Sequence, residues 1–530
     1  MLESKVLEVT RPRVGSEEFL LSSSPASLDA EPNLSGASRW AILTCLLFVV
    51  ALFFVFAYNS GYGYDALEYL VIGRALAHGQ RFYSLIPSKS PGIYYVVAAF
   101  LRGGLPANHY AVSALITMSF AATLVGTWLA VRRILGYRIA LISTLLVAAC
   151  SAFMEMNFLE PEGTVYLSGL AAFVLVLQSI RTARLLPLFA AGFFLAVGFQ
   201  FKAVAAFYLL GICCFFLFKQ LRYRHVEFSK LLRLGFVLAA GFFTGGSIPL
   251  LFFATTGRLS EFWTWTAAFP LFHYPSNTFW LNKLFTKLLW FHLLVIVAFF
   301  CSVFVVRVRR IIWSNDAASL AFFMALVSYL ALLKTQSSHY CFPGSAFFSV
   351  YISAVLLTFW KTKTSGIALP RGIAFAVPAL LLALTLSAFL YEPKVFSRFM
   401  NWRSFEEEEL LGSQVRQLAA GSKGLFVRNG SLLHWVSGVE PASRFVNFDV
   451  QTTYFVEQNP DSLLNVLNDE STIIEFNPAD PGFEDVRFGD SPKRSRLLVE
   501  FTRQLEKQFR PADVSPTPYH FWVRKTVTER

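Results

Sequence analysis

Charge is what this sequence has least of. Asp, Glu, Lys and Arg together make up 15% of 530 residues, against 55% hydrophobic residues and 56 phenylalanines. A water-soluble chain of this length could not hide so much apolar surface, so a secreted enzyme, a nucleic-acid binder and a disordered scaffold are all disfavoured. Carboxylates are scarcer still: residues 40–391 hold only Asp65, Glu68, Glu155, Glu160, Glu162, Glu227, Glu261 and Asp316. Cysteine is sparse too, and none of the six lies beyond Cys341, so no disulfide staples the polar C-terminal part. Residues 1–38 lack an apolar stretch and are expected to be a flexible cytoplasmic leader.

What the chain has instead is long apolar runs. Eleven of them, near 40–58, 108–131, 139–154, 164–180, 186–199, 203–218, 234–254, 288–306, 317–333, 342–360 and 372–391, approach the ~20 residues a membrane helix needs. A twelfth, 92–101, is too short to span and reads as an interfacial helix. The expected fold is an α-helical polytopic membrane protein of about 11–13 transmembrane helices over 39–391.

The net charge of +12 divides unevenly: residues 1–391 carry 29 basic and 14 acidic side chains, residues 392–530 carry 17 and 20. With the N-terminus placed in the cytoplasm, the inner loops hold 16 Lys and Arg in 48 residues and the outer loops 9 in 102. That bias satisfies the positive-inside rule. An odd number of spans then puts 392–530 outside the plasma membrane. In that tail, helical periodicity at 404–420, 462–467 and 493–509 alternates with strand candidates at 424–428, 472–476 and 519–525, which predicts a small extracytoplasmic α/β domain.

In this topology six of the eight scarce carboxylates face outward, and five of them fall in the loop 59–107 or the next outer turn. A carboxylate at the membrane edge is costly and usually has a task. The loop reads Gly61-Tyr-Gly-Tyr-Asp65-Ala-Leu-Glu68-Tyr69, then Ala77-His-Gly79, then Ser88-Lys89-Ser-Pro91-Gly92-Ile-Tyr94-Tyr95. Asp65 and Tyr69, four apart, share a face if Tyr64–His78 is a helix, and Gly79 would end it. Lys89, before Pro91, sits on extended backbone where it can neutralise a lipid phosphate. Glu68 is expected to point away from Asp65 into solvent. Glu162 is expected near the start of the helix beginning around Thr164, and Glu155 neutralised near a helix end.

These residues resemble the first outer loop of the polytopic GT-C glycosyltransferases, and more narrowly the bacterial relatives of protein O-mannosyltransferases and the lipid A aminoarabinose transferase. That family has Lys-Pro-Pro-Gly/Leu-x-Tyr where this chain has Lys89-Ser90-Pro91-Gly92-Ile93-Tyr94. Asn157-Phe-Leu-Glu160-Pro161, Gly198-Phe-Gln-Phe-Lys202, Ser338-His339-Tyr340 and Pro441-Ala-Ser-Arg-Phe445 resemble later family segments in the same order. The resemblance implies a GT-C-like catalytic domain that moves a sugar from a polyprenyl-phosphate carrier to a lipid, glycan or protein acceptor on the outer face, with inversion. It implies Asp65 as base with Glu160 as second acid, Lys89 and Lys202 on the donor phosphate, and Tyr69, Tyr94, Glu162, His339 and Tyr340 about the pocket. Snorkelling is the competing reading of Lys202, and an interfacial place that of His339 and Tyr340.

Trp263, Trp265, Phe272 and Tyr274 form either a lid or an ordinary aromatic belt. No metal-ligand spacing stands out: His339 is remote from every other histidine and no Asp-x-Asp occurs in the outer loops. Neither a metal nor another cofactor is indicated, and the partners implied are the lipid-linked sugar and membrane lipids. The alternative is a transporter or flippase for a lipid-linked or small solute, which predicts charges in mid-helix and inverted repeats. A scaffold or sensor would leave the acid-rich loop without a purpose.

Overall fold

A computed structural model describes residues 36–86, 89–222, 227–273, 289–333, 338–363, 405–420, 424–427, 431–448, 450–468, 472–477, 491–512 and 519–525. Ten of the eleven apolar runs are helices; the eleventh, 372–391, lies outside the described residues, as do most of 1–38. Six helices are by themselves long and apolar enough to cross a membrane: Trp40–Ser60, His109–Leu135, Glu162–Thr182, Ala205–Arg222, Phe228–Thr255 and His339–Thr362.

The expected count of spans is therefore larger than these helices alone supply. Leu289–Phe304 and Val306–Ser314 pass the test only as a pair bent by 101°. Tyr137–Phe153, Leu186–Phe201 and Asp316–Leu332 are shorter. At 1.5 Å per residue, a 16-residue helix reaches about 24 Å, short of the ~30 Å hydrocarbon core. The 186–201 helix packs tightly against 228–255. A Cβ on Gly192 would lie 2.0 Å from the Leu238 carbonyl oxygen, and one on Gly241 1.9 Å from that of Phe189. Small residues let the two backbones touch.

Between the first and second long helices the chain forms two short ones. The loop helix Tyr64–Ala77 ends at His78, and Gly79 follows with φ of 92°, a conformation only glycine adopts without strain. The second, Gly92–Arg102, has 11 residues, buries Ile93, Tyr94, Val97 and Ala98, and is too short to span, as its sequence indicated.

The C-terminal region has the expected mixed architecture. Four strands, β1 (Gly424–Val427), β2 (Thr472–Glu475), β3 (Phe509–Ala512) and β4 (Phe521–Arg524), lie in the order β1-β2-β4-β3. The β1–β2 pair is parallel and the other two pairs are antiparallel. The sequence reading missed β3, running the last helix to Phe509, whereas it stops at Gln508. It also missed the helices Leu432–Ser437 and Val450–Gln458.

This region grips the loop helix. Arg74, 7% exposed, donates to the backbone carbonyls of His434 (2.7 Å) and Trp435 (3.2 Å), and lies 3.8 Å from Glu440. Ile86 exchanges backbone hydrogen bonds with Arg444 and Val446, only three residues before Lys89. The loop bearing the candidate site is thus pinned from the bundle and from the C-terminal region alike.

Candidate active site

The site forms where the loop helix meets the start of Glu162–Thr182 and the ends of the neighbouring helices. Asp65 lies in the first turn of the loop helix, whose N-cap is Gly63. A Cβ on Gly63 would come within 2.8 Å of the Phe158 ring, so glycine there lets the helix start approach the turn that carries Glu160.

The Lys89-to-Tyr94 segment closes on itself. The Tyr94 hydroxyl accepts from the Lys89 backbone N–H (3.1 Å) and donates to Glu68 Oε1 (2.5 Å). Gly92 sits where a Cβ would lie 2.8 Å from the Gln200 carbonyl oxygen, which brings this loop against the chain leading to Lys202. Lys89 Nζ then reaches Asp65 Oδ1 at 3.0 Å and Glu68 Oε2 at 3.3 Å, with the Tyr69 ring 5.4 Å below it.

A second ion cluster adjoins the first. Lys202 pairs with Glu162 and lies 3.7 Å from the Tyr340 ring centroid. His339 lies with Nε2 3.7 Å from Glu162 and Nδ1 3.5 Å from Glu155. Glu160 Oε2 is buried without a hydrogen-bond partner among the described residues.

The two clusters meet: ligand atoms of Asp65, Glu160 and His339 all lie within 4.8 Å of one another. That is a spacing at which two carboxylates and an imidazole can hold one cation. Spacing could not indicate this, because His339 stands 274 residues from Asp65 and 179 from Glu160; the fold removes the separation.

The environment drives the two carboxylates apart. Burial favours the protonated form of Asp65, but Lys89, His339 and Lys202 outweigh it and hold the carboxyl at about 2. Burial pushes Glu160 up to about 7, with Glu162 and Asp65 adding to the rise against His339 and Lys202. One acid is an open anion, a third of its side chain exposed, and its neighbour takes and releases a proton near neutrality. Burial also raises the Tyr69 phenol well above its usual value, keeping it neutral.

Asp65, Tyr69, Lys89, Tyr94, Glu160, Glu162, Lys202, His339 and Tyr340 therefore lie in one connected cluster, and the reading of Glu68 is overturned. Glu68 is fully buried, not solvated. Residues three apart on a helix are only about 60° apart in projection, so Glu68 shares the Asp65 face. That spacing was the signal that would have found it. Lys202, 14% exposed and paired, does not snorkel. Glu162 is indeed in the first helical turn, but wholly buried against Lys202.

The aromatic loop divides. Trp265 is buried and meets Tyr454 of the C-terminal region, whereas Trp263 and Phe272 are exposed. Tyr274 lies outside the described residues.

The fold has known counterparts. The crystal structure of ArnT from Cupriavidus metallidurans bound to undecaprenyl phosphate superposes with a TM-score of 0.58 over 92% of this chain and 98% of that one, at 14% identity. The apo form of the same protein gives 0.56 at the same coverage and identity. The chain has the fold of the GT-C glycosyltransferases.

A family described as dolichyl-phosphate-mannose-protein mannosyltransferase matches residues 88–245, which include Lys89, Tyr94, Glu160, Glu162 and Lys202. The Archaeoglobus fulgidus oligosaccharyltransferase gives a TM-score of 0.48 at 12% identity, over 93% of this chain and 75% of that one. No curated protein sequence matches the chain.

Proposed function

We propose that this GT-C protein transfers a sugar from a polyprenyl-phosphate carrier to an acceptor hydroxyl at the outer membrane face, with inversion. The observation that carries the reading is the lysine–carboxylate pair at the edge of the apolar bundle: Lys89 Nζ lies 3.0 Å from a carboxylate that is ionised and partly open. Likeness to a protein bound to undecaprenyl phosphate supports the same donor class here. The acids gather at one end of the bundle, which suits transfer at a membrane face better than passage through it.

The chemistry divides between the charges. The leaving group is a lipid phosphate, stable as an anion, so it needs a cation and no acid. Lys89 supplies that cation, with Lys202 behind it. The acceptor oxygen attacks the anomeric carbon while the bond from that carbon to the phosphate oxygen breaks. The hydroxyl proton passes to Asp65, and the electron pair of the broken bond leaves with the carrier phosphate.

A carboxyl held at about 2 is a weak base, but Lys89 is among the groups that hold it there. Arrival of a phosphate draws Lys89 toward itself and adds negative charge, so proton affinity at Asp65 rises when the donor is in place. A second reading gives the proton to Glu160, which already titrates near 7.

The test is mass spectrometry of outer-face glycans and glycoproteins in cells lacking this gene, then complemented with the wild-type chain or with Asp65→Asn. The wild type should restore the missing product and the variant should not. Full restoration by Asp65→Asn at normal protein level would remove Asp65 from the reaction.

A further inference from the structure

A second feature on the same face stands apart from the carboxylates. A cavity of about 450 Å³ opens between the ends of the loop helix, the 92–102 helix and the 228–255 helix. This falls within the ~300–1,000 Å³ typical of ligand pockets. Arg81, Arg102 and Arg258 line it together with Phe82, Tyr95 and Phe252, and no carboxylate is among the lining residues.

The arginines are not equally committed. Arg102 donates to the carbonyls of Leu76 (2.8 Å) and Ala77 (3.2 Å), closing the end of the loop helix. Arg258 shares its charge with Glu261 at 2.9 Å, and Arg444 of the outer domain faces the same carboxylate. Arg81 stands exposed at the rim. Three guanidinium groups around a cavity, with one carboxylate beside them, leave an excess of positive charge suited to a phosphate, which guanidinium binds in two-pronged fashion.

Position decides between a soluble anion and a lipid. The cavity lies where the long apolar helix Phe228–Thr255 ends, and its outer wall is aromatic: Phe252 is 48% exposed and Tyr95 40%. Arginine at the headgroup level above exposed aromatic rings fits an anionic lipid whose chains run down the helix. The inner wall is shared with the active site. The Phe82 ring packs 5.2 Å from Tyr94, whose hydroxyl holds Glu68.

We propose that this cavity is a second lipid-phosphate site, holding the phosphate of an anionic membrane lipid one ring layer away from the reaction centre, while Lys89 serves the carrier. The division of labour rests on the proposed function; binding in the cavity does not.

The experiment is native mass spectrometry of the full-length protein in detergent micelles, offered dioleoyl phosphatidylglycerol, dioleoyl phosphatidylcholine or undecaprenyl phosphate. Phosphatidylglycerol should stay bound under activation that strips phosphatidylcholine. Arg81→Gln/Arg258→Gln should weaken phosphatidylglycerol retention about tenfold or more, the scale of losing charge-assisted hydrogen bonds, and leave undecaprenyl phosphate retention unchanged. Lys89→Gln should do the reverse. Arg102 is left intact because it closes a helix. Should the double variant aggregate, Arg81→Gln at the exposed rim serves alone, with a smaller loss in the same direction.

Equal retention of the two phospholipids, or undiminished phosphatidylglycerol on the soluble variant, would overturn the site. So would loss of undecaprenyl phosphate from that variant, which makes the cavity the carrier's own, or full displacement of phosphatidylglycerol by millimolar inorganic phosphate. Failure of the transferase reading shows elsewhere, in glycan restoration by Asp65→Asn.

Discussion

Two groups of paired lysines and carboxylates lie at opposite ends of this bundle. At one end Lys89 and Lys202 meet Asp65, Glu68 and Glu162, with Glu155, Glu160 and His339 beside them. At the other, Lys219 pairs with Asp316 at 2.9 Å. Lys202 lies just before the helix Ala205–Arg222 and Lys219 near its end, and the stretch from Ala205 to Lys219 runs about 21 Å along the axis.

The Lys219–Asp316 pair is closed: one cation, one anion, and a helix start capped by Asn315 accepting from the Ala318 N–H. Its two charges balance. In the first cluster carboxylates outnumber lysines, and the surplus is managed by spreading proton affinities, Asp65 at about 2 and Glu160 at about 7. Surplus charge that is tuned and left open marks a place of work; balanced charge marks a joint.

The comparison can be broken at several points, beginning with the largest effect. Asp65→Asn removes the open anion without changing shape. Transfer should fall about 10²–10⁴-fold, the range for loss of a positioned general base, while the melting temperature stays within a few degrees. Product formation by mass spectrometry, alongside a thermal-shift measurement, checks both.

Next comes the closed pair. Lys219→Met alone strands a buried carboxylate and should destabilise the protein by about 3–5 kcal/mol. Lys219→Met with Asp316→Leu should recover most of that stability and near-wild-type transfer. A double variant that folds and is inactive would end the distinction drawn between joint and site.

Glu160 offers a smaller effect with a defined sign. Its folded value, about 7, is raised from an ordinary value near 4.5, so the folded state holds the proton longer than the unfolded chain does. Stability from this group is complete below about pH 4.5 and is lost as pH rises through 7. Glu160→Gln should therefore raise the melting temperature relative to wild type at pH 8 and have no effect on it at pH 4. The variant should also flatten any change in transfer rate near pH 7, if Glu160 receives the proton. A pH-independent difference in melting temperature would contradict the raised value.

The smallest expected effect concerns cations. If Lys89 and Lys202 supply the positive charge this site needs, chelation with EDTA should leave transfer within about twofold, since each bound lysine ammonium already neutralises a phosphate oxygen. Loss of activity restored by manganese would instead place an ion among Asp65, Glu160 and His339.

Much of the fold was legible in the sequence because a bilayer imposes one rule on every helix, a run of about 20 apolar residues, and such runs survive without an alignment. The short helices were harder. Tyr137–Phe153 and Leu186–Phe201 look like spans by composition, and only their three-dimensional ends show that they stop short. In the C-terminal region the strand Phe509–Ala512 abuts its helix with no intervening turn residue, so helical periodicity ran one residue into it.

By itself the sequence determined the class of protein, an α-helical polytopic membrane chain, and the crowding of five of the eight scarce carboxylates of residues 40–391 into residues 65–162; its nine candidate site residues followed from a family resemblance, and Glu68 was not among them. Composition suffices for the class because membrane thickness sets the length of every apolar run. Only the tertiary structure decided how the charges pair. It buried Glu68 under Tyr94, carried His339 across 179 residues to Glu160, and set the two central carboxylates at opposite ends of the proton-affinity scale. Proton affinity depends on burial and on neighbours a few ångströms away, and folding alone chooses those neighbours.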